Sequence, residues 1–290
     1  MRPCMWTSIY YELSPEEALR RIAEAGWQAV ELSTEHLEVL RDAPDSQARL
    51  VSLRQLAPSL GVAMPQAHLT ITANVAHIDP ERRQHDQETI RRDLQVLATL
   101  GIPTGVLHTG GNKDLGSSAQ VREQQEIRLR AVSDLADCAK SLGVRIALEN
   151  GTGRSKGPED CAGWGGSTAD VRELIGQIGS PALGICLDTG HAILEGWDNV
   201  EAVRTAGDLL IALHIADNDG SGDQHRIPFA YGSKADWPAI IAALRQADYH
   251  GPFNLEIPGE RGRPLVILDA AIRYALEVCR VLLGDGVATA

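Results

Sequence analysis

The sequence predicts an α/β protein made of a single (β/α)8 TIM barrel, with its site at the C-terminal ends of the strands. Short apolar runs alternate with longer helical patterns at a spacing of roughly 30–40 residues, which is typical of repeated strand–helix units. Three helical patterns end in the same Leu-Gly-Val or Leu-Gly-Ile step, at Leu60, Leu100 and Leu142, where a glycine ends the helix before a strand begins. A doubly wound open sheet is disfavoured, because no Gly-x-Gly-x-x-Gly turn follows the first strand.

The first half of the chain contains four predicted strand–helix pairs. Ser14, Pro15 and Glu16 supply an N-cap, a first-turn proline and an acidic first turn, so the first helix begins there. Glycines mark where this helix and the later ones end. The strands are predicted at residues 4–9, 29–32, 62–68 and 104–108. The helices are predicted at residues 15–25, 46–60, 82–100 and 118–142.

The second half repeats this organisation, with a glycine-rich loop at residues 150–166. Ser167 or Thr168 caps the helix that follows the loop, and Asp236 caps a later one. The strands are predicted at residues 145–149, 183–188, 209–215 and 253–257. The helices are predicted at residues 167–178, 197–206, 236–247 and 266–283. No linker or change of composition divides the chain, so we expect one domain over residues 1–290.

The composition restricts the classes of protein to which this chain can belong. Its 290 residues are 43% hydrophobic, which is enough for a large core, and they carry a net charge of −12. This acidic balance argues against binding to nucleic acids or anionic membranes. The five cysteines form no Cys-x-x-Cys pair, and no signal peptide or membrane-spanning run is visible. We therefore expect a cytoplasmic protein with reduced thiols and no nucleic-acid or membrane partner.

Residue types that bind metals stand at the carboxyl ends of six consecutive predicted strands. They are His68, His108, Glu149, Asp188 with His191, His214 and Glu256. In a barrel these ends converge on one face. Three carboxylates and four imidazoles crowded together there would be poorly solvated without a cation. Each residue alone could be an ordinary hydrogen-bonded strand end, but the joint pattern predicts a divalent metal centre.

Four motifs at these strand ends resemble those of the xylose isomerase-like superfamily of TIM barrels. They are Leu-Glu-Asn at 148–150, Leu-Asp-Thr-Gly-His-Ala at 187–192, Leu-His-Ile-Ala-Asp-Asn-Asp-Gly at 213–220 and Asn-Leu-Glu-Ile at 254–257. The superfamily comprises sugar and sugar phosphate isomerases and epimerases, related dehydratases, and apurinic endonucleases of the endonuclease IV type. The resemblance covers nearly the whole chain, and its motifs are specific for the superfamily and the site but not for a substrate.

The epimerase pattern of this superfamily implies one metal ion and a carbohydrate-like substrate. The implied ligands are Glu149, Asp188, His214 and Glu256. These oxygen-rich ligands suit Mn²⁺, Mg²⁺ or Co²⁺, and Zn²⁺ is also compatible. Glu149 and Glu256 would also be the catalytic pair, because one can remove a proton next to a ketone and the other can return it, through an enediolate that the cation stabilises. The implied substrate-binding residues are His68, His108, His191 and Arg226.

Other residues near the predicted barrel mouth have two interpretations each. Trp6 would stack on a sugar face or plug the rim of the barrel. Glu31 would support the site from behind or bind the substrate, or would be a solvated or paired carboxylate. Arg154, Lys156 and Arg226 would bind a phosphate group, or would be solvated surface charges. The outer helices carry amphipathic stripes that pack on the strands, and a homo-oligomer formed through them is compatible with the sequence.

The endonuclease IV pattern is matched as well, and it implies three Zn²⁺ ions and phosphodiester hydrolysis. Its three ligand sets would be His68, His108 and Glu149; Glu149, Asp188, His214 and Glu256; and His191, Asp223 and His225. Asp223 and His225 share a face if their segment is extended. The acidic net charge and the few lysine and arginine runs in the predicted loops oppose DNA as the substrate. A non-enzymatic interpretation is a barrel that binds a sugar or a metal without turnover.

Overall fold

The computed structural model describes residues 1–111, 115, 117–151 and 166–284. Eight parallel strands in these ranges form a nearly closed barrel with flanking helices, which confirms the predicted (β/α)8 fold. The strands are β1 Arg2–Trp6, β2 Ala29–Leu32, β3 Ala63–His68, β4 Thr104–His108, β5 Arg145–Glu149, β6 Leu183–Asp188, β7 Leu210–His214 and β8 Pro252–Leu255. The helices are α1 Pro15–Glu24, α2 Thr34–Asp42, α3 Ser46–Ser59, α4 Pro80–Leu100, α5 Ser118–Leu142, α6 Thr168–Ile178, α7 Thr189–Leu194, α8 Asn199–Ala206, α9 Trp237–Gln246 and α10 Leu265–Leu283.

The sheet follows the order of the chain. Each strand from β1 to β7 pairs in parallel with its successor, and β8 pairs with β1. Ile215, directly after β7, completes the ring. Its N–H donates to the carbonyl of Asn254 at 2.8 Å, and its carbonyl accepts from the N–H of Glu256 at 3.2 Å. The carboxyl ends of all eight strands therefore open on one face, where barrel enzymes place their chemistry.

The strands are largely buried, as expected of a parallel sheet that is covered by helices. All six residues of β6 are buried. Strand β6 also packs closely against the Ile211 side chain of β7. A Cβ atom added at Gly184 would come within 2.6 Å of that side chain. On the outer side, Trp27 is 2% exposed and donates its indole N–H to the carbonyl of Ile272 at 3.0 Å. Close packing on both sides gives the polar strand ends a rigid support.

Three elements differ from those predicted. The predicted first strand is wrong beyond Trp6, because the buried residues Thr7–Tyr10 form a 3₁₀ helix. Two short helices, α2 and α7, are absent from the predicted set. Helix α7 contains Gly190 and two β-branched residues, so its helical propensity is low. Its N-cap is Asp188, whose Oδ1 accepts from the N–H of His191 at 2.6 Å and stabilises the first turn.

None of the helices in the described ranges has the length and apolar character that crossing a bilayer requires.

A buried ion pair holds the loop that follows β3. Asp93 of α4 is fully buried, and its carboxylate accepts from Arg41 Nη1 at 2.7 Å and from the N–H of Thr70 at 2.9 Å. Arg41 also donates to the hydroxyl of Thr70 at 2.8 Å. Burial raises the pKa of Asp93 even though Thr70 and Arg41 oppose the shift. This network fixes the backbone of Thr70 in the loop that follows β3.

Replacing Arg41 with methionine is expected to destabilise the protein by about 3–5 kcal/mol, because the Asp93 carboxyl would be left buried without its charged partner. Denaturant unfolding of the wild type and the variant measures the change in the free energy of unfolding. The double variant Arg41→Met/Asp93→Asn removes both charges and is expected to recover part of the loss. A single variant as stable as the wild type would contradict this account of the loop.

Candidate metal centre

The strands from β3 to β8 bring the predicted ligands together at their carboxyl ends. Glu149, the last residue of β5, is 1% exposed and lies between four histidines. Its Oε2 atom lies 3.1 Å from His108 Nε2 and 3.5 Å from His68 Nε2. Its Oε1 atom lies 3.0 Å from His214 Nδ1 and 3.4 Å from His191 Nδ1. One carboxylate thus contacts imidazoles that follow or end four different strands.

Asp188, His214 and Glu256 form a compact set with Glu149, which we call the primary group. Asp188 ends β6, His214 ends β7, and Glu256 follows β8 directly. One ligand atom from each of the four residues lies within 4.8 Å of the ligand atoms of the others. His214 Nδ1, for example, is 3.3 Å from Glu256 Oε2. All four side chains are buried.

Several buried polar atoms of this cluster make no hydrogen bond of good geometry with the described residues, although ring nitrogens lie 3.1–3.5 Å from some of them. They are His68 Nε2, Glu149 Oε2, Asp188 Oδ2 and Glu256 Oε2. An unsatisfied buried polar atom costs about 1–3 kcal/mol, and a charged one costs more. Three carboxylates that converge beside one imidazole are a suitable ligand set for a hard divalent cation. The primary group therefore fits a divalent metal ion.

Most of the histidine rings are oriented through their second nitrogen, as metal-binding histidines usually are. Three rings hold Nδ1 at hydrogen-bonding distance from a backbone carbonyl. They are His68 at 2.8 Å from Leu69 O, His191 at 2.9 Å from Asn150 O and His225 at 3.0 Å from Glu256 O. Because a carbonyl can only accept, Nδ1 carries a hydrogen in each ring. The Nε2 atom of each ring is therefore the one that can meet a metal or a substrate.

His191, Asp223 and His225 form a second set of ligand atoms within 4.8 Å of one another. Asp223 Oδ2 is 3.3 Å from His191 Nε2, and its Oδ1 is 3.2 Å from His225 Nε2. Burial would lower the pKa of His225, but Asp223 and Glu256 outweigh it and raise that pKa to about 10. The backbone of His225 has φ +44°, in the strained left-handed region. The loop after β7 thus carries the predicted extra ligands to the edge of the primary group.

A third set consists of His68, His108 and Glu149, which also place ligand atoms within 4.8 Å of one another. The rings of His68 and His108 are nearly perpendicular, at 89°, and their centroids are 5.0 Å apart. Glu149 belongs both to this set and to the primary group. The described residues therefore contain all nine predicted metal-ligand positions in one continuous cluster.

Burial and neighbouring charges shift the pKa values of the two glutamates in opposite directions. Burial raises the pKa of Glu256 well above its ordinary value, against the effect of His214. Burial acts in the same direction on Glu149, but His214 and His108 outweigh it and hold the pKa of Glu149 well below its ordinary value. Two carboxyl groups in one site with opposite pKa shifts are characteristic of acid–base pairs.

Trp6, a predicted substrate contact, borders the cluster. It is 6% exposed, and its ring centroid lies 6.4 Å from that of His68. The two rings are tilted by 46°, so they do not stack. The indole Nε1 of Trp6 is buried and has no hydrogen-bond partner among the described residues. Among the described residues this N–H is therefore unused as a donor.

Arg226, the other predicted substrate contact, is engaged by its own loop. Its Nη2 atom donates to Asp219 Oδ2 at 3.0 Å, and its Nη1 atom donates to the carbonyl of Tyr231 at 3.0 Å. The Arg226 backbone also pairs with Asp217 through two hydrogen bonds of 2.8 and 2.9 Å. Arg154 and Lys156, considered above as phosphate contacts, lie outside the described residues.

Three buried polar residues lie behind His214, and only one of them, Glu31, was considered from the sequence. Glu31 is fully buried, and its Oε1 atom lies 3.1 Å from His214 Nε2. Its Oε2 atom accepts from Gln66 Nε2 at 2.7 Å and also from Asn254 Nδ2. Gln66 and Asn254 were not among the predicted site residues. One feature of the sequence could have identified this set: Glu31, Gln66 and Asn254 are polar residues within largely apolar predicted strands.

Three relatives illustrate the range of proteins that this chain is similar to. Uncharacterized protein y4fM of Sinorhizobium fredii is 30% identical over 199 residues, which are 68% of this chain and 60% of that protein. A D-psicose 3-epimerase of Enterocloster bolteae is 24% identical over 285 residues, which are 97% of this chain and 86% of the epimerase. A probable endonuclease 4 of Heliobacterium modesticaldum is 28% identical over 230 residues, which are 75% of this chain and 78% of the endonuclease.

Comparison with solved structures and with protein families agrees with the observed barrel. A crystal structure of D-psicose 3-epimerase in the presence of D-fructose superposes with a TM-score of 0.77 and 20% identity, covering 98% of this chain and 100% of the other. At this level of identity the likeness concerns the fold. Residues 19–281 match the family described as xylose isomerase-like TIM barrel, and this range includes every ligand position of the cluster. The chain therefore belongs to the xylose isomerase-like TIM barrel family.

Proposed function

We propose that this protein is a divalent-metal-dependent isomerase or epimerase acting on a small sugar, sugar phosphate or related polyol ketone. The observation that carries the proposal is the position of Glu149 and Glu256. These two buried carboxylates come from different strands and reach the same four-ligand group. Two such groups beside one cation are suited to moving a proton to and from a carbon next to a carbonyl. The relative from Enterocloster bolteae, aligned over 97% of this chain, supports a sugar substrate.

The proposed reaction assigns a proton-transfer role to each glutamate. A divalent cation held by the primary group would supply a Lewis acid that stabilises negative charge on the substrate oxygens. One glutamate removes a proton from the carbon next to the carbonyl, and the other returns a proton to the opposite face, which inverts that carbon. Return of the proton to the neighbouring carbon would instead exchange aldose and ketose. Burial of both carboxylates keeps bulk water away from the transferred proton.

We assign substrate binding to His68, His108, His191, Trp6 and Arg226. The Nε2 atom of His68 and the indole N–H of Trp6 are buried and have no hydrogen-bond partner among the described residues, so both could bind hydroxyl groups of a substrate. His191 Nε2 lies 3.3 Å from Asp223 Oδ2 and would share its position between that carboxylate and a substrate. His108 has a side chain that is 37% exposed, so it can contact both Glu149 and a bound molecule. Arg226 reaches a substrate in this proposal by leaving Asp219, with which it now pairs.

Incubating the metal-loaded protein with a panel of ketoses in deuterated water tests the proposal. We expect one or more ketoses to incorporate solvent deuterium at the carbon next to the carbonyl and to yield the epimer or the aldose. Nuclear magnetic resonance follows both events in one sample. A barrel that only binds sugar or metal would give neither deuterium incorporation nor product with any member of the panel.

A second candidate function is metal-dependent phosphodiester hydrolysis. The observation in its favour is that the three ligand sets of the endonuclease IV pattern are among the four groups whose ligand atoms lie within 4.8 Å of one another. The relatives also include a probable endonuclease 4. The net charge of −12 opposes a DNA substrate. Incubation of the zinc-loaded protein with a duplex that contains one abasic site tests this alternative. Cleavage there, without proton exchange in any ketose, would replace the sugar proposal.

A further inference from the structure

His214 is the one imidazole of the primary group, and its two nitrogens face in opposite directions. Its Nδ1 atom lies 3.0 Å from Glu149 Oε1 and 3.3 Å from Glu256 Oε2, on the side where the ligand atoms converge. Its Nε2 atom lies 3.1 Å from Glu31 Oε1, deeper in the barrel. Glu31 and His214 are both fully buried, so no solvent competes for this contact.

A histidine that binds a metal through Nδ1 keeps its hydrogen on Nε2. A carboxylate oxygen can only accept that hydrogen, so Glu31 is placed to hold it on Nε2 whenever Nδ1 gives its electron pair to a cation. It also holds the plane of the ring. His68, His191 and His225 are oriented by backbone carbonyls instead. The ring of His214, by contrast, is held on its Nε2 side by a side chain, which substitution can remove.

Glu31 is itself held in place from the other side of its carboxylate. Gln66 Nε2 donates to Glu31 Oε2 at 2.7 Å, and Asn254 Nδ2 donates to the same atom. These donors come from β3 and β8, while Glu31 lies in β2. With Oε2 occupied by two donors, Oε1 remains for His214. Donors on β3 and β8 thus hold the Glu31 carboxylate of β2, and this carboxylate holds the His214 ring of β7.

We propose that Glu31 is a positioning residue for the metal centre, which orients His214 so that Nδ1 faces the three carboxylates and which thereby raises the affinity of the primary group for a divalent cation. The inference rests on the proposed function, because it presupposes that the primary group binds a metal. Glu31 contacts His214 and not the ligand atoms of Glu149, Asp188 or Glu256 in any hydrogen bond or ion pair among the described residues. Its effect would pass through the imidazole ring.

Titration of the metal-free protein with Co²⁺, followed by visible absorption, tests the proposal in wild type and Glu31→Gln. Glutamine keeps the size of the side chain and removes the carboxylate, and we expect the Kd for Co²⁺ to rise about 10- to 100-fold. The absorption bands of bound Co²⁺ are expected to change as well, because a neutral amide oxygen holds the His214 ring less strongly than a carboxylate does. Melting temperatures of the metal-free proteins record any loss of stability separately.

Asp93→Asn is the matched control, because it also neutralises a fully buried carboxylate but lies in the network with Arg41 and Thr70. We expect this variant to lose stability and to keep the wild-type Kd. Gln66→Met removes a donor to Glu31 while leaving the carboxylate, and its Kd is expected to lie between those of wild type and Glu31→Gln. If Glu31→Gln does not fold, Gln66→Met decides the question.

Two results would overturn the inference. One is a folded Glu31→Gln, or failing that Gln66→Met, with the wild-type Kd and spectrum. The other is an equal rise in Kd in the Asp93→Asn control, which would indicate a general effect of destabilisation. A wild-type protein that binds no Co²⁺ would instead contradict the proposed function itself, so the two failures are distinguishable.

Discussion

Replacing Glu149 or Glu256 with glutamine is expected to slow proton exchange at the substrate carbon by about 100- to 10,000-fold, the usual contribution of a general acid or base. Glutamine fills the same space but cannot accept the proton. The two glutamates share one ligand group and are both buried, so neither can be replaced by water from bulk solvent. The rate of deuterium incorporation into the best ketose of the panel measures the effect.

The matched control for these variants is Glu260→Gln, which makes the same chemical change at an exposed position shortly after Glu256. It is expected to exchange at the wild-type rate. Because Glu149 and Glu256 are also proposed ligands, each variant is assayed at a metal concentration that saturates it, and its Kd for the metal is measured in parallel. Wild-type exchange in both variants would exclude the two-glutamate mechanism.

Removal of bound metal is expected to abolish turnover and to lower the melting temperature. Without a cation, the converging carboxylates retain unsatisfied atoms at Glu149, Asp188 and Glu256. A cation present at about 100 times its Kd stabilises the folded state by about 2.7 kcal/mol. Chelation, followed by calorimetry and by an assay of the same sample, measures both losses. Restoring Mn²⁺, Mg²⁺ or Co²⁺ is expected to reverse them, and Asp188→Asn is expected to respond weakly to the added metal.

The number of ions bound per chain separates the two candidate functions. Elemental analysis is expected to find about one Mn or Mg per chain for a sugar isomerase or epimerase, whereas close to three Zn would favour phosphodiester hydrolysis. His191 is the residue whose role differs, since it binds substrate in the first case and metal in the second. A chelated protein with full activity would contradict both candidates.

The fold and the primary group are predictable because both depend on a repeated pattern rather than on individual contacts. An apolar run followed by a ligand residue recurs at Glu149, Asp188 and His214, and parallel strand ends meet on one face wherever their boundaries lie. The error at the end of β1, which stops at Trp6 instead of residue 9, therefore leaves the cluster unchanged.

The contacts beneath the cluster were not predictable in the same way. Glu31 and His214 are 183 residues apart, and a strand of four residues does not reveal which side of the barrel wall its glutamate faces. Gln66 and Asn254 have no special spacing to either residue. Helix α7 also escaped prediction, because it forms around the side chain of Asp188, and Gly190 weakens its local propensity. Tertiary contacts decide these features, and one sequence does not display them.

The closure of the ring at Ile215 is one of the shorter strand pairings of the barrel. Strands β4 and β5 are joined along five residue pairs, whereas β7 and β8 meet through the two hydrogen bonds of Ile215 in the described chain. His214 stands on one side of this pairing and Glu256 on the other. A cation held by both residues would bridge this short pairing and so stabilise the closed barrel. Loss of the ion would then loosen the joint between the seventh and eighth strands as well as remove the activity.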